Sequence, residues 1–457
     1  EILGNLRATP KETDIYKMIQ TGDLGNIAGL PADERAQLAN VERFRHELNT
    51  KRFRSFIQEI AGCGPLSDTV DCACNMHSQG GHLVCHDDVI GDRRLSYIIY
   101  MPDPDEDWGP EDGGGLELYP VETPRTPATA PVQTVVPKWG TMAFFTVEPG
   151  VSFHAVQEVF SPKLRCSIQG WYHAASAPPQ LENASLSQIL AGTEGAVTCV
   201  PYGVEEATGV KIDELNSLLN PEYLSPEILA QIKKELTSNG RIQLRNFLQP
   251  KIGEEIRGWI AQADKDDGVG RGRPPQYTAG IGPGWKAVGP PHIQRFIRLE
   301  SGGESALHRR FSQLNELFES GVMRELLHKA TGFEATARVS HVRRFRAGMD
   351  YTLALPTSDG STSAVECSLV FVDDKGKQKR KAWNSDEVGG YQCYMEANGS
   401  EDAAVYRSAG TDSDVTTQSA SSNSLSIVLR GPKTLGFVKY VSANAPGSRW
   451  DVSSRFV

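Results

Sequence analysis

The sequence predicts an α+β protein, mainly β, made of two related β-domains with supporting helices. Three observations predict it. From about Leu83 the chain breaks into short β-like runs separated by turn clusters, the pattern of a sandwich or barrel. At 457 residues it is too long for one ordinary core, so at least two domains are expected. The second half also repeats the first faintly, as a duplicated β-domain would.

In chain order, Val41, Phe44, Leu48, Phe53, Phe56, Ile57 and Ile60 fall close to helical spacing, with Arg43, Arg45, Lys51, Arg52 and Arg54 mostly on the wet face. This predicts one long helix packed on a sheet. Strands are expected at 95–101, 115–119, 140–147, 153–160 and 164–173, with turn clusters at 102–114 and 148–150. Residues 174–200, rich in Ala, Ser, Pro and Gly, read as a linker. Helices follow near 211–219 and 226–238, then a strand at 242–247 and a helix at 252–263. A Gly- and Pro-rich loop is expected over 264–291, helices over 304–319 and 321–330, and a strand over 336–345. The domains are thus drawn at 1–175, the first β-unit, and 240–457, the copy, with 176–239 as linker and helices. The chain opens on Glu1, not Met, so a preceding segment is expected, a targeting peptide among the options.

The repeat is carried by short echoes. Gly389-Gly390-Tyr391 echoes Gly114-Gly115-Leu116, residues 424–429 echo 141–146, and Arg449-Trp450 stands where Arg165-Cys166 stands in the first half. Where a His-x-Asp pair would fall, the copy has Arg344-Phe345-Arg346, and no histidine follows Gly436. The second half is therefore expected to hold no metal and to serve as structure or as a recognition surface.

Composition narrows the function. With 39% apolar and 23% charged residues the chain is globular, not disordered, and no apolar run approaches the length of a membrane span. A net charge of −10 favours basic partners and argues against direct nucleic-acid binding. The eight cysteines are few for this length and show no disulfide-framework spacing, which suits reduced thiols in the nucleus or cytoplasm.

The residues that carry chemistry begin at Cys85-His86-Asp87-Asp88. On a strand, residues i and i+2 share a face, so His86 and Asp88 are expected to converge on one ion. With a distant His154 they make two histidines and a carboxylate, the facial triad of non-haem Fe(II) oxygenases. Such a site leaves positions open for a bidentate 2-oxo acid and for O2. Arg165 follows His154 by 11 residues on a predicted return strand. Its planar guanidinium suits a carboxylate, here the far end of 2-oxoglutarate. Tyr100, 14 residues after His86, is placed to share that carboxylate. Alone, each feature has a plainer reading: His-x-Asp pairs arise by chance in loops, Arg165 would be an ion-pair partner, and Tyr100 a core tyrosine. Their combination argues for the site.

These motifs resemble a family. The run Gly81-His82-Leu83-Val84-Cys85-His86-Asp87-Asp88-Val89-Ile90-Gly91 resembles the iron motif of the fungal and animal prolyl hydroxylases related to the yeast termination-and-polyadenylation protein. So do Pro110-Glu111-Asp112-Gly113-Gly114-Gly115-Leu116-Glu117-Leu118-Tyr119 and Ser167-Ile168-Gln169-Gly170-Trp171-Tyr172-His173. In the second half, residues 389–395 and Ser448-Arg449-Trp450-Asp451 resemble that family's C-terminal domain. The resemblance implies two tandem double-stranded β-helix (jelly-roll, cupin-like) domains, only the first active. It implies Fe(II) on His86, Asp88 and His154, 2-oxoglutarate on Arg165 and Tyr100, O2 as oxidant and ascorbate as reductant. It further implies 3-hydroxylation of a proline in the small ribosomal subunit's decoding-centre protein, with a role in translation termination or accuracy. The partners it implies are that basic ribosomal protein and, through the C-terminal domain, translation-termination or mRNA-tail factors. One departure stands out: His77 occupies a position where relatives are expected to have a pocket-lining tyrosine.

Other readings compete. The oxygenase chemistry would also serve another substrate, such as a nucleic-acid base, and the negative charge weighs against that. An oxygen-sensing interaction scaffold that regulates a bound transcription or mRNA factor is the alternative of a different class. Cys72-Ala73-Cys74 with His77 or His82 hints at zinc, but no second Cys pair follows, so buried thiols are expected. The basic run 375–381 reads as a solvated hairpin tip, with nuclear import or RNA contact as its sharper alternatives.

Overall fold

A computed structural model describes residues 1–176, 198–203, 212–354, 363–385, 387–396, 416–431 and 434–457. The chain forms two compact units, the first drawing on residues 1–176 and the second on most of the described residues from 198 onward. Most of the expected linker, 177–197, lies outside the described residues. Among the described residues, no helix is long and apolar enough to cross a membrane.

The first unit is a curved antiparallel sheet. Its principal strands are β1 (Ala8–Glu12), β2 (Tyr16–Thr21), β3 (Ala73–His77), β4 (His82–His86), β5 (Arg93–Tyr100), β6 (Leu116–Leu118), β7 (Gln133–Val135), β8 (Met142–Thr146), β9 (His154–Val156) and β10 (Arg165–Ala174). The strand order is β7-β6-β9-β4-β2-β3-β10-β5-β8, with β1 on β2. Alternation sorts each strand's side chains onto two faces. On β5, Leu95 and Tyr97 face outward into a core with Val41, Leu48 and Ile57, while Ile98 and Tyr100 face inward among Leu116, Ala143 and Phe145. The outer layer is anchored by the Tyr172 hydroxyl, which donates to the Leu48 carbonyl at 2.8 Å.

The expected single helix is two, Ala39–Leu48 and Lys51–Ala61. Thr50 divides them: its extended backbone breaks the first helix, and its hydroxyl accepts from Phe53 N at 3.2 Å to cap the second. Phe56 and Ile60, expected on the buried stripe, are 55% and 58% exposed. The bend turns the second helix so that only Ile57 of that helix is fully buried. Strands β1, β2 and β3 had no strand signal, because their alternation is short and mostly polar outside β3.

The second unit contains β11 (Arg241–Arg245), β12 (Trp285–Val288), β13 (Gln294–Leu299), β14 (Ala337–Phe345), β15 (Tyr351–Thr352), β16 (Ala364–Phe371), β17 (Gln392–Glu396), β18 (Thr416–Gln418), β19 (Ser424–Arg430), β20 (Thr434–Val438) and β21 (Arg449–Phe456). Strand β12 lies inside the stretch expected to be loop. One sheet runs β11-β19-β16-β21-β14-β13-β12, with β15 on β13, and another runs β18-β17-β20. The order β12-β13-β14-β21-β16-β19 reproduces β1-β2-β3-β10-β5-β8 of the first unit, and β18-β17-β20 reproduces β7-β6-β9. The helices at Pro226–Asn239, Pro250–Asp266, Ala306–Glu319 and Gly321–Thr331 pack on one face of this sheet, where Phe311 stacks on Trp450 at 5.6 Å.

This correspondence corrects three sequence readings. Arg344-Phe345-Arg346 matches the end of β3, not the His-x-Asp segment, since β14 takes the place of β3. The glycine echo is displaced by one: Gly389 and Gly390 (φ 65° and 68°) match Gly113 and Gly114 (φ 73° and 68°). The basic run is a short helix, Lys377–Trp383, not a hairpin tip. Trp383 is buried and donates to the Asp373 carbonyl at 3.2 Å, which pins that helix against the sheet end.

Thr50→Ala removes the cap and should lower unfolding stability by about 1 kcal/mol in urea titration; unchanged stability would show that the cap is not what starts the second helix.

Candidate active site

The site lies on the inner face of the first unit. His86 ends β4 and His154 begins β9, and the two are cross-strand partners with ring centroids 4.2 Å apart. Asp88 joins them by a different route from the one expected. The strand stops at His86, and Asp88 takes a left-handed backbone, φ 62°, which turns its carboxylate back toward both rings. Aspartate tolerates this region better than most residues. The turn is held by Asp87, which accepts from Val89 N at 3.3 Å and Gly150 N at 3.2 Å, and by Ser152, which donates to the Asp87 carbonyl at 3.0 Å.

Asp88 Oδ1 lies 3.2 Å from His86 Nε2, and Oδ2 lies 3.3 Å from His154 Nε2. One ligand atom from each of the three residues falls within 4.8 Å of the others. Each ring is oriented through its other nitrogen: His86 Nδ1 meets the Val84 carbonyl at 2.9 Å and His154 Nδ1 meets the Ser152 carbonyl at 2.8 Å. A carbonyl only accepts, so Nδ1 carries the proton and Nε2 presents a lone pair to the centre. Phe145 packs edge-on to His154 at 4.6 Å. Burial opposes ionisation of Asp88, but the two imidazoles outweigh it and hold the carboxyl well below its usual range. Burial works against a charged His86, but Asp88 raises its pKa above the ordinary value. Two lone pairs and a carboxylate facing one another require a cation between them, and the donor set fits Fe(II).

Arg165 and Tyr100 stand on the same inner face. Strand β10 is flanked by β3 and β5; Tyr100 pairs with Ser167, two residues beyond Arg165. The fully buried guanidinium lies 5.2 Å from the Tyr100 ring. Arg165 Nε donates to the Gly114 carbonyl at 2.6 Å, and Nη1 reaches the Ser167 hydroxyl at 3.5 Å. Arg165 Nη2 and the Tyr100 hydroxyl are buried with no hydrogen-bond partner. A buried guanidinium with a spare N–H beside a spare hydroxyl is a cradle for a carboxylate.

Sequence reasoning missed why the glycine run is needed. A Cβ on Gly113 would strike the Glu158 carbonyl, and one on Gly114 would lie 2.7 Å from Arg165 Cδ. Gly114 thus leaves room for the arginine; the available signal in the sequence was the run of three consecutive glycines, Gly113-Gly114-Gly115, ahead of a predicted strand. The zinc reading is not supported: burial pushes the Cys72 thiol up to about 11 and the Cys74 thiol up to about 12, and among the described residues the His86, Asp88, His154 group is the one metal-competent cluster.

A buried two-histidine, one-carboxylate centre beside a carboxylate cradle, inside a jelly-roll sheet, defines a mononuclear non-haem iron oxygenase. Residues 72–173 match the 2OG-Fe(II) oxygenase superfamily, and residues 210–457, more than half the chain, match the family described as oxoglutarate and iron-dependent oxygenase degradation C-term. The chain is 35% identical over 473 residues to the "Prolyl 3,4-dihydroxylase OGFOD1" of Ostreococcus tauri, covering 100% of this chain and 91% of that protein. It is 33% identical over 254 residues to the "Prolyl 3-hydroxylase OGFOD1" of Xenopus laevis, covering 54% of this chain and 43% of that one. It is 26% identical over 469 residues to the "Prolyl 3-hydroxylase sudestada1" of Drosophila melanogaster, covering 98% and 77%. The chain belongs to this family of 2-oxoglutarate- and iron(II)-dependent oxygenases, of the prolyl hydroxylase type, with two tandem double-stranded β-helix domains and with Fe(II), 2-oxoglutarate and O2 as its cofactors and cosubstrates.

Gly114→Ala should displace Arg165 and weaken 2-oxoglutarate binding by about tenfold or more while leaving metal affinity intact. Calorimetry with Mn(II) in place of iron checks it; equal loss of both affinities would show a misfolded site instead.

Proposed function

We propose that this protein hydroxylates a prolyl residue at carbon 3 in the decoding-centre protein of the small ribosomal subunit, in the nucleus or cytoplasm, and thereby acts on translation termination or accuracy. The observation that carries the hydroxylase reading is the convergence of His86, Asp88 and His154 next to the unpaired Arg165 and Tyr100 atoms. The names of the relatives support prolyl as the substrate residue.

His86, Asp88 and His154 would hold the iron, which when bound couples decarboxylation of 2-oxoglutarate to activation of O2. Arg165 and Tyr100 would fix the far carboxylate, so that the 2-oxo acid end points to the metal. Ile98, Leu116, Ala143 and Phe145 wall the inner face with apolar surface and exclude water from the reacting atoms. Substrate encounter is assigned to the loop before the glycine run. Asp103, Asp105, Glu106, Asp107 and Glu111 are exposed, whereas Asp112 is buried, caps Gly109 N at 2.9 Å and pairs with Lys163 at 2.9 Å. The exposed carboxylates supply long-range attraction for a basic ribosomal protein. The second unit, where no metal triad occurs among the described residues, is read as a docking platform for termination or mRNA-tail factors.

Purified protein with Fe(II), 2-oxoglutarate and ascorbate should add one oxygen mass to a proline peptide from that ribosomal protein, and His86→Ala should abolish the gain. Hydroxylation at carbon 4 alone, or of no ribosomal peptide, would overturn the assignment. Neutralising Asp103, Asp105 and Glu106 together should raise the KM for the protein substrate at low salt and much less at high salt; a KM that stays fixed at low salt removes the loop from substrate capture.

A further inference from the structure

His77 is the residue the mechanism above does not use. It ends β3, is 1% exposed, and both its ring nitrogens lack a hydrogen-bond partner. A buried polar group left unpaired is costly, so it calls for a partner the protein does not supply. Its place in the sheet says where that partner sits. His77 is the direct cross-strand partner of Arg165. Directly opposed residues share a face, with Cβ atoms about 4.5–5.5 Å apart. Arg165 is therefore flanked by His77 from β3 and by Tyr100 from β5. These three neighbours each leave a buried hydrogen-bonding atom unused. Among the described residues, Arg165 has no ion-pair partner.

The second unit supplies an internal control. There Arg449 takes the place of Arg165, and its cross-strand partner is Phe345, an apolar ring that needs no hydrogen bond. Asp451, at the position of Ser167, pairs with Arg449 and also with Arg343 at 2.8 Å. The copy thus neutralises its own guanidinium and has an inert ring beside it. The first unit keeps the guanidinium unpaired and has a polar ring beside it. The difference is what a ligand-binding and a ligand-free version of one pocket should show.

We infer that His77 donates a ring N–H to the far carboxylate of 2-oxoglutarate, as a third contact beside Arg165 and Tyr100. The inference rests on the reading of Arg165 as the cosubstrate's anchor. Burial, and then the charge of Arg165, keep the imidazole neutral, so it has one N–H to donate and adds no second cation to the pocket.

The test uses the full chain loaded with Mn(II), without oxygen, and compares 2-oxoglutarate with pyruvate, which has the same metal-binding end but no far carboxylate. Affinities are read from water-proton relaxation of the bound Mn(II), with pyruvate taken to millimolar concentration. His77→Phe, the residue found in the copy, should weaken 2-oxoglutarate by about tenfold or more and leave pyruvate and Mn(II) affinities unchanged. His77→Gln, which keeps an N–H donor, should recover most of the loss. Wild-type affinity for 2-oxoglutarate in His77→Phe, or equal weakening of both acids, overturns the inference. Arg165→Leu separates the two claims: if it too leaves the preference for 2-oxoglutarate over pyruvate intact, the anchor reading falls and His77 with it; if it erases the preference while His77→Phe does not, only the role of His77 falls.

Discussion

The first unit is organised around groups that cannot satisfy one another. Two imidazole lone pairs and a carboxylate face the same point, and close by a guanidinium is buried without a carboxylate of its own. Each set is costly in a protein interior unless a ligand of the opposite character completes it. A divalent cation answers the first set and a dicarboxylate the second, and one molecule that chelates the cation at one end and meets the guanidinium at the other answers both. Much of the local backbone serves to keep these groups apart from protein partners that would quench them. The left-handed turn at Asp88, the carbonyls that hold the two rings by Nδ1, and the glycine that makes room for Arg165 all do this.

The second unit shows what happens when that requirement is lifted. Strand order is retained, and so are two consecutive positive-φ glycines beside the equivalent arginine, Gly389 and Gly390 beside Arg449. A Cβ on Gly389 would strike the Tyr440 carbonyl, as one on Gly113 would strike that of Glu158. The backbone solution therefore outlasts the chemistry. What differs is that Asp451 closes the arginine internally, and that the short strand at Tyr351–Thr352 stands where β4 delivers His86 in the first unit. Barrel and metal site are separable properties of one chain fold.

The sequence carried the β-rich class, the duplication and the chemical residues because each has a local signature: alternation bounded by turns, repeated glycine motifs, and a tight His-x-Asp pair. It did not carry what depends on pairing across the sheet. The split at Thr50 was hidden because apolar spacing continues through it. Phe56 and Ile60 looked buried because periodicity cannot say where a helix pivots. The convergence of His86 and Asp88 was anticipated for a reason that does not hold, since strand alternation ends at His86 and a left-handed residue does the work. The neighbourhood of His77 and Arg165 depends on register between strands 88 residues apart in the chain, which no local pattern encodes.

One cation and one 2-oxo acid would complete the site together. The most direct measurement is anaerobic visible spectroscopy of the chain titrated with Fe(II) and 2-oxoglutarate. The titration should give a charge-transfer band that saturates at one iron per chain, requires both additions, and is lost in His154→Ala. A band that persists in His154→Ala, that saturates at two irons per chain, or that never forms in the unmodified protein would contradict this joint completion.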